Sequence, residues 1–583
     1  MRTQFNNWNK DLVKESTFFK YRYVNKKSNT STSWKLHPVY FHILFIAILA
    51  ISIYSVYALS GRIKFSNLHD VGEKLKRLFS FGNKYTERTG RFDGKYENLL
   101  LETMKVLWVT IKLALTGTFI GFVLALVTAY FSFATPTNKY SAFLVFVIML
   151  ILRSIPELVF IQIFILSIQN DLSLLLVYIW FTWLWLHKYY EELLVSVDLE
   201  AYKISLMQGN SKTKAFFKEI YPRVKNRIIA LFIFSFESNM RWASILGALT
   251  LPGIGKLIYY ASHNITFFNE LGIPLLVLMV FVLLLEVLNY VFKRFLFEAR
   301  TKVILPRKNE DKISYYNRLS KKINVRRVII VLIFMLFAVV SITTFATTRI
   351  KIHNLDATKK FFEQIFNPDF SHFSFKSTDV NHNPLLLIWN SLQFSFASLF
   401  ICIVLTLIAI RLQSLNLNKL YVAATARSLN VLVRLIPTTV LFYTFFNIFP
   451  SPITLLMLVV GIHQMCSKSK QLTEVVDNLD IEVINNMRMQ GYTNNQIFLK
   501  YVLPAIKVDF ISMTIFYFEL IFRNSITYYV LASQELHIGR NISRYLDTRL
   551  YQPRVALSYV WLSCFSILLI NIIGRLVIKR VKK

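Results

Sequence analysis

Long apolar stretches alternate with short polar ones along most of this chain, and the apolar stretches have membrane length. A helix rises about 1.5 Å per residue, so a hydrocarbon core about 30 Å thick takes roughly 17–25 residues. In the first half the stretches are Val39–Tyr57, Val106–Phe131, Ala142–Ile168, Leu172–His187, Arg227–Leu246 and Leu271–Phe292. In the second half they are Val328–Thr348, Leu385–Ile410, Val431–Phe449, Ile453–Met465, Val508–Leu531 and Val555–Ile578. Ile453–Met465 is the shortest, and its boundary is the least defined. The pattern predicts an all-α polytopic membrane protein with about 12 transmembrane helices in two tandem six-helix halves. The expected domains are a basic tail (1–38), a first half (39–300), a basic linker (301–327) and a second half (328–583).

Composition agrees with this reading and adds an orientation. Of the 583 residues 54% are hydrophobic and only 17% charged, which excludes a soluble domain of this length. There are 67 Lys and Arg against 33 acids. On a soluble protein that excess would point to nucleic acid, but here much of it lies between the apolar stretches. Residues 1–38 carry eight bases and two acids, Lys293–Arg327 twelve and three, and Arg575–Lys583 five bases. Twelve spans place these three segments on one side. The excess of Lys and Arg marks that side as cytoplasmic, with both termini on it, and no nucleic-acid partner is expected. The segment Gly61–Lys105, expected outside, is basic as well, but long loops weigh less in that rule. The first apolar stretch follows a basic tail, yet it is too long for a cleaved signal and is read as a retained span. Cys402, Cys466 and Cys564 are odd in number and far apart, so neither a disulfide framework nor a metal site is expected.

The halves are related. Shifting the chain by 282 residues brings Lys188 onto Lys470, Glu192 onto Glu474, Asp198 onto Asp480 and Glu200 onto Glu482. The same shift aligns Gly209 with Gly491, Pro222 with Pro504, Glu237 with Glu519 and Arg241 with Arg523. At a shift of 281, Arg153 and Pro156 meet Arg434 and Pro437. Charged residues, Gly and Pro seldom coincide by chance at one offset in an apolar chain. A parallel repeat implies a pathway between the halves.

Two polar segments, Lys188–Arg227 and Ser467–Lys507, separate the fourth and fifth spans of each half. In each, a Gly is followed thirteen residues later by a Pro: Gly209 and Pro222, Gly491 and Pro504. The spacing predicts a helix, a left-handed glycine turn, a second short helix, and a proline opening the next span. This pattern resembles the Glu-Ala-Ala loop of ABC importer permeases. The resemblance is nearer to the phosphonate-transporter permeases through Arg153-Ser154-Ile155-Pro156-Glu157, Lys188 with Glu192 and Asp198, and Phe236-Glu237 with Arg241. Gly247 followed by Pro252-Gly253-Ile254-Gly255 completes the set. It covers about residues 102–300 and, more degraded, 390–575. Lys203 and Asn485 stand six residues before the glycines, where the family has its Glu-Ala-Ala. The second half has Thr438 in place of Glu157.

The resemblance implies a type I importer permease fold with two permease domains fused in one chain, in a bacterial cell membrane. It implies ABC ATPase subunits (two copies or equivalent) docked on the loops around Glu200, Gly209 and Pro222 and around Glu482, Gly491 and Pro504. It also implies a solute-binding protein that delivers a phosphonate- or phosphate-type anion from outside. The charges inside the spans are the candidate substrate pathway. Glu237 with Arg241 and Glu519 with Arg523 are i,i+4 pairs, so each carboxylate can partly neutralise its guanidinium. Arg153 and Arg434 precede Pro156 and Pro437 by three residues, where the helix should break. Arg153, Arg241, Arg434 and Arg523 are expected to converge between the halves and offer guanidinium forks to an oxyanion.

No phosphate-cradling Gly-x-x-x-x-Gly-Lys-[Ser/Thr] loop is present, nor any zinc or serine-hydrolase motif. No cofactor or catalytic residue is therefore expected in this chain; ATP would be bound by the partner subunits. His187 and His463, near span ends, read as hydrogen-bonded structural residues. A twelve-helix secondary transporter with parallel repeats would share the duplication, but has no use for the paired loops.

Overall fold

The computed structural model describes residues 12–17, 20–25, 30–31, 35–85, 97–263, 265–292, 294–295, 311–321, 325–348 and 350–581. It divides into two units, residues 1–60 and 61–583. In the first unit, strands β1 (Leu12–Ser16), β2 (Lys20–Asn25), β3 (Thr30–Ser31) and β4 (Lys35–Leu36) form a small antiparallel sheet around β2. An apolar helix, α1 (Pro38–Leu59), follows it.

The second unit is helical. Its first half contains α2 (Leu68–Leu78), α3 (Leu99–Ser132), α4 (Lys139–Ser154), α5 (Glu157–Ser167) and α6 (Asn170–Val195). Next come α7 (Glu200–Met207), α8 (Lys212–Ala215), α9 (Tyr221–Ala248), α10 (Ile254–His263) and α11 (Gly272–Phe292). The segment 311–321 holds α12 (Lys312–Lys321). The second half runs through α13 (Val325–Thr347), α14 (Leu355–Gln364), α15 (Pro384–Gln413), α16 (Leu420–Leu435), α17 (Thr438–Phe445) and α18 (Pro452–Asp477). It closes with α19 (Ile481–Met489), α20 (Asn494–Ile497), α21 (Leu503–Thr527), α22 (His537–Leu546) and α23 (Pro553–Val581).

Among the described residues six helices are long and apolar enough to cross a membrane: α1, α3, α11, α13, α15 and α23. Two bent pairs raise the number to eight. Helices α4 and α5 meet at 77°, and α16 and α17 at 85°, each break falling at the Arg-x-x-Pro segments (Arg153–Pro156, Arg434–Pro437). Twelve uniformly apolar spans are therefore not what the chain forms. The remaining four predicted spans lie in α6, α9, α18 and α21, which are 25–28 residues long. They are long enough but too polar, because they carry the buried charges. The weakly bounded stretch Ile453–Met465 lies inside α18, whose helix continues for twelve further residues through a polar end.

The apolar faces meet in one large core shared by the halves. Leu158, Tyr178, Met240 and Leu246 of the first half pack in it with Leu435, Ile526, Tyr559 and Val560 of the second. Helix α13, which opens the second half, lies against α3 of the first. Its Phe334 stacks on Phe232, and its Phe337 meets the same ring edge-on. The segment between α1 and α3 also reaches across. Buried Lys74 of α2 donates from Nζ to the Tyr443 carbonyl (2.7 Å) and to Asn447 Oδ1 (3.2 Å). Burial pushes its ammonium below the usual lysine range, against the opposing pull of Asp70. Two helices, α10 and α22, are pressed onto the ends of α9 and α21. A Cβ on Gly255 would lie 1.8 Å from the Ala243 carbonyl oxygen, and one on Gly539 2.0 Å from that of Ile526.

Candidate functional site

The two loops adopt closely matching backbones, although the first short helix starts one residue earlier in the second loop. Asp198 Oδ1 accepts from the Glu200 N–H (3.0 Å), and Asp480 Oδ1 from that of Glu482 (2.9 Å). The short helices then end in a left-handed glycine, φ 83° at Gly209 and 86° at Gly491. The Gly209 and Asn210 N–H groups donate to the Leu206 and Ser205 carbonyls, while those of Gly491 and Tyr492 donate to Arg488 and Met487. This double bond satisfies carbonyls that a helix end would leave orphaned. Ser211 and Thr493 cap the next turn. A five-residue π-helical turn follows in each, Phe216–Ile220 and Phe498–Val502. Pro222 and Pro504 follow that turn directly, as the second residues of α9 and α21, and offer no N–H to the turn before them. Tyr202, Ala215, Phe216 and Ile220 anchor the first loop in an apolar core; Ile484, Ile497, Phe498 and Val502 do the same for the second.

The tip of each loop is the reverse of a buried element. Met207 is 85% exposed and Met489 79%. Phe217 and Leu499 are exposed as well. The two loops thus expose apolar side chains at matched positions.

Nineteen residues beyond each proline, on the same helix, sits the arginine of a buried ion cluster. In the first cluster Glu237 is 3.4 Å from Arg241 of its own helix and 3.3 Å from Arg434 of the other half. Arg434 also meets Glu286 of α11 at 2.9 Å, and Lys470 meets Glu286 at 2.5 Å. In the second, Glu519 holds Arg523 of its own helix at 2.6 Å, Arg153 at 3.7 Å and Lys188 at 3.8 Å. Glu237 and Glu519 thus each take one arginine from their own half and one from the other. The i,i+4 pairs foreseen in the sequence are present, but Arg153 and Arg434 meet the opposite half's glutamate, which no sequence spacing reveals. Glu286 was not foreseen either; its one signal is a single acid inside the apolar stretch Leu271–Phe292. Its equivalent at the 282-residue shift is Leu568.

These clusters flank two cavities between the halves. The larger, about 230 Å³, is lined by Arg241 and Arg434 together with Trp185, Trp242, Asn239 and Tyr517. The smaller, about 50 Å³, is lined by Arg153, Lys188, Glu519 and Arg523. The four arginines therefore divide into two pairs rather than meeting at one point. Arg434 is buried, and its Nε has no hydrogen-bond partner among the described residues; the same holds for Arg523 Nε. These are spare donors beside cavities. His187 Nδ1 bonds to Thr128 Oγ1 (3.0 Å) and His463 Nε2 to the Ile436 carbonyl (3.0 Å), so both rings are tied into the framework. The three cysteines are buried and free. No group of His, Cys, Asp and Glu among the described residues could hold a metal ion.

Comparison with known proteins bears on this arrangement directly. Residues 117–302, about a third of the chain, match the family described as binding-protein-dependent transport system inner membrane component. The chain is 26% identical to ABC transport system permease protein p69 of Mycoplasma genitalium over 496 residues, 85% of this chain and 86% of that protein. It is also 26% identical to the protein of that name from Mycoplasma pneumoniae over 484 residues, 79% of this chain and 84% of that protein. No solved structure matches the chain. The protein is thus a multi-pass, all-α membrane component of transport rather than an enzyme, carrying over residues 117–302 a permease domain of the importer-type ABC systems, whose members work with ATPase partners.

Proposed function

We propose that this chain is the membrane permease of an ATP-driven importer in the bacterial cell membrane, with both termini cytoplasmic and two six-helix permease domains fused in one polypeptide. Two ATPase subunits grip the loops at Met207 and Met489. A solute-binding protein delivers a phosphonate- or phosphate-type anion from the other side, and the halves rock around the cavities. The observation that carries this reading is a continuous lever, present twice. A loop with an exposed apolar tip leads through Pro222 or Pro504 into one helix that carries, about 28 Å further along, Arg241 or Arg523. Motion at the loop is therefore delivered to the ion clusters and to the cavity they border. The anion class is supported by guanidinium donors without acceptors beside the cavity, at Arg434 and Arg523.

The test is reconstitution. In proteoliposomes the purified chain alone should neither hydrolyse ATP nor move solute, and uptake should require ATP and the co-purifying ATPase. Uptake driven by an ion gradient without that subunit would overturn the reading. The double change Arg241→Lys with Arg523→Lys should weaken apparent affinity for the anion about tenfold at normal protein levels. Unchanged affinity would remove these two residues from recognition.

A further inference from the structure

One charged side chain at the cavities is not accounted for by the ion clusters. Glu157 opens α5, just after the break at Pro156, and lines both cavities. Its Oε2 is buried and has no hydrogen-bond partner among the described residues. No ion pair within 4.0 Å involves it there, although the other three carboxylates around the cavities, Glu237, Glu286 and Glu519, each hold two or three cations. Three aromatic side chains, Phe181, Trp185 and Phe516, line both cavities with it, and Phe181 and Trp185 lie on one helix, α6. A carboxylate beside aromatic rings is an acceptor set that receives an ammonium group, through charge on one side and ring faces on the other. The position related by the repeat, Thr438, lines the larger cavity and carries no charge. The cavity therefore has a negative pole on the first-half side only, and a positive one at Arg241 and Arg434.

We propose that Glu157, with Phe181 and Trp185, forms a subsite for a cationic group, and that the transported solute is a zwitterion: an oxyanion carrying an amine or ammonium. This rests on the anion reading above and adds the second pole. A charged pole on one side of a nearly twofold cavity also fixes which way the solute lies in it. The alternative role for an acid in the first turn of a helix is to face the free N–H groups of that turn, which stabilises the helix and is indifferent to the solute.

The experiment uses the full permease–ATPase complex in nanodiscs and equilibrium binding of three probes: O-phosphoethanolamine, ethyl phosphate and ethanolamine. The wild-type complex should bind O-phosphoethanolamine at least about tenfold more tightly than ethyl phosphate. Glu157→Gln should abolish that preference, and Glu157→Asp should restore part of it. A preference that survives Glu157→Gln, whatever happens to the melting temperature, overturns the subsite. Should ethanolamine alone bind in a Glu157-dependent manner while neither phosphate does, the anion reading fails and the cation subsite stands. Absence of binding by all three probes overturns both.

Discussion

In the first half the loop around Gly209 presents Lys203, Lys212 and Lys214 to solvent, and none of the three ammonium groups has a partner among the described residues. In the second half the same three positions hold Asn485, Asn494 and Gln496. There Arg488, in place of Leu206, donates to Asn494 Oδ1, Asn485 Oδ1 and the Asn416 carbonyl. The glycine turns and the π-helical turns that follow them are nevertheless alike in the two loops. The ion clusters repeat this contrast. Both pair one glutamate with arginines from both halves, but the first has a second carboxylate, Glu286, where the second has Leu568. The lesson is that the repeat preserves the turns and the cross-half contacts, and lets the charges around them differ.

The sharpest way to break the comparison is to remove one glutamate at a time. Among the described residues Glu519 is the one carboxylate within ion-pair distance of Arg153, Lys188 and Arg523, so Glu519→Gln leaves one buried and two part-buried cations without a close partner. It should cost about 3–5 kcal/mol and collapse the yield of folded protein in membranes. Glu237→Gln should cost distinctly less, because Glu286 still holds Arg434 and Lys470. Equal losses in melting temperature would deny the asymmetry of the clusters. Next come the close approaches of α10 and α22. Gly255→Ala and Gly539→Ala each place a methyl group against a carbonyl oxygen, and each should destabilise by about 3 kcal/mol in a thermal melt.

A smaller effect is expected at the turns. Gly209→Ala and Gly491→Ala meet no atom within 4 Å, so the cost is the left-handed backbone alone, about 1 kcal/mol each. Because the two turns are equivalent, both changes should lower solute-stimulated ATP hydrolysis to the same extent. The smallest effect tests the charge difference. Replacing Lys203, Lys212 and Lys214 by Asn, Asn and Gln should weaken ATPase association at low salt by less than about 1 kcal/mol and flatten its salt dependence. The reverse changes at Asn485, Asn494 and Gln496 should steepen it. Salt curves that do not move in either direction would show that these charges take no part in docking.

Much of the backbone was legible in the sequence because it is set locally. Pro156 and Pro437 mark the sharp bends since proline removes a donor and collides with the preceding turn. Gly209 and Gly491 mark the left-handed ends since other residues resist that conformation. The span boundaries were less legible. Helix α16 begins at Leu420 rather than Val431 because the polar residues of its first turns, Thr425, Arg427 and Ser428 among them, masked a helix that runs past the apolar stretch. The ion clusters were half legible. Spacing along one helix shows that Glu237 can reach Arg241, but nothing along the chain says that Arg434, almost two hundred residues on, shares the same carboxylate. That contact depends on how the halves meet. Glu157 was visible as part of a motif; its lack of a partner emerges only from the surroundings.

The long-range pairing has a consequence for synthesis. Lys188 and Arg153 reach the bilayer well before the carboxylate they share has been made, since Glu519 lies 331 residues after Lys188. At about 5–20 residues per second, translation leaves those two cations waiting for roughly 15–70 s. Through that interval the nascent helices must keep them near water, near lipid phosphates or beside an insertion factor. The permease therefore cannot settle helix by helix as it emerges, and its last quarter decides whether the earlier spans stay.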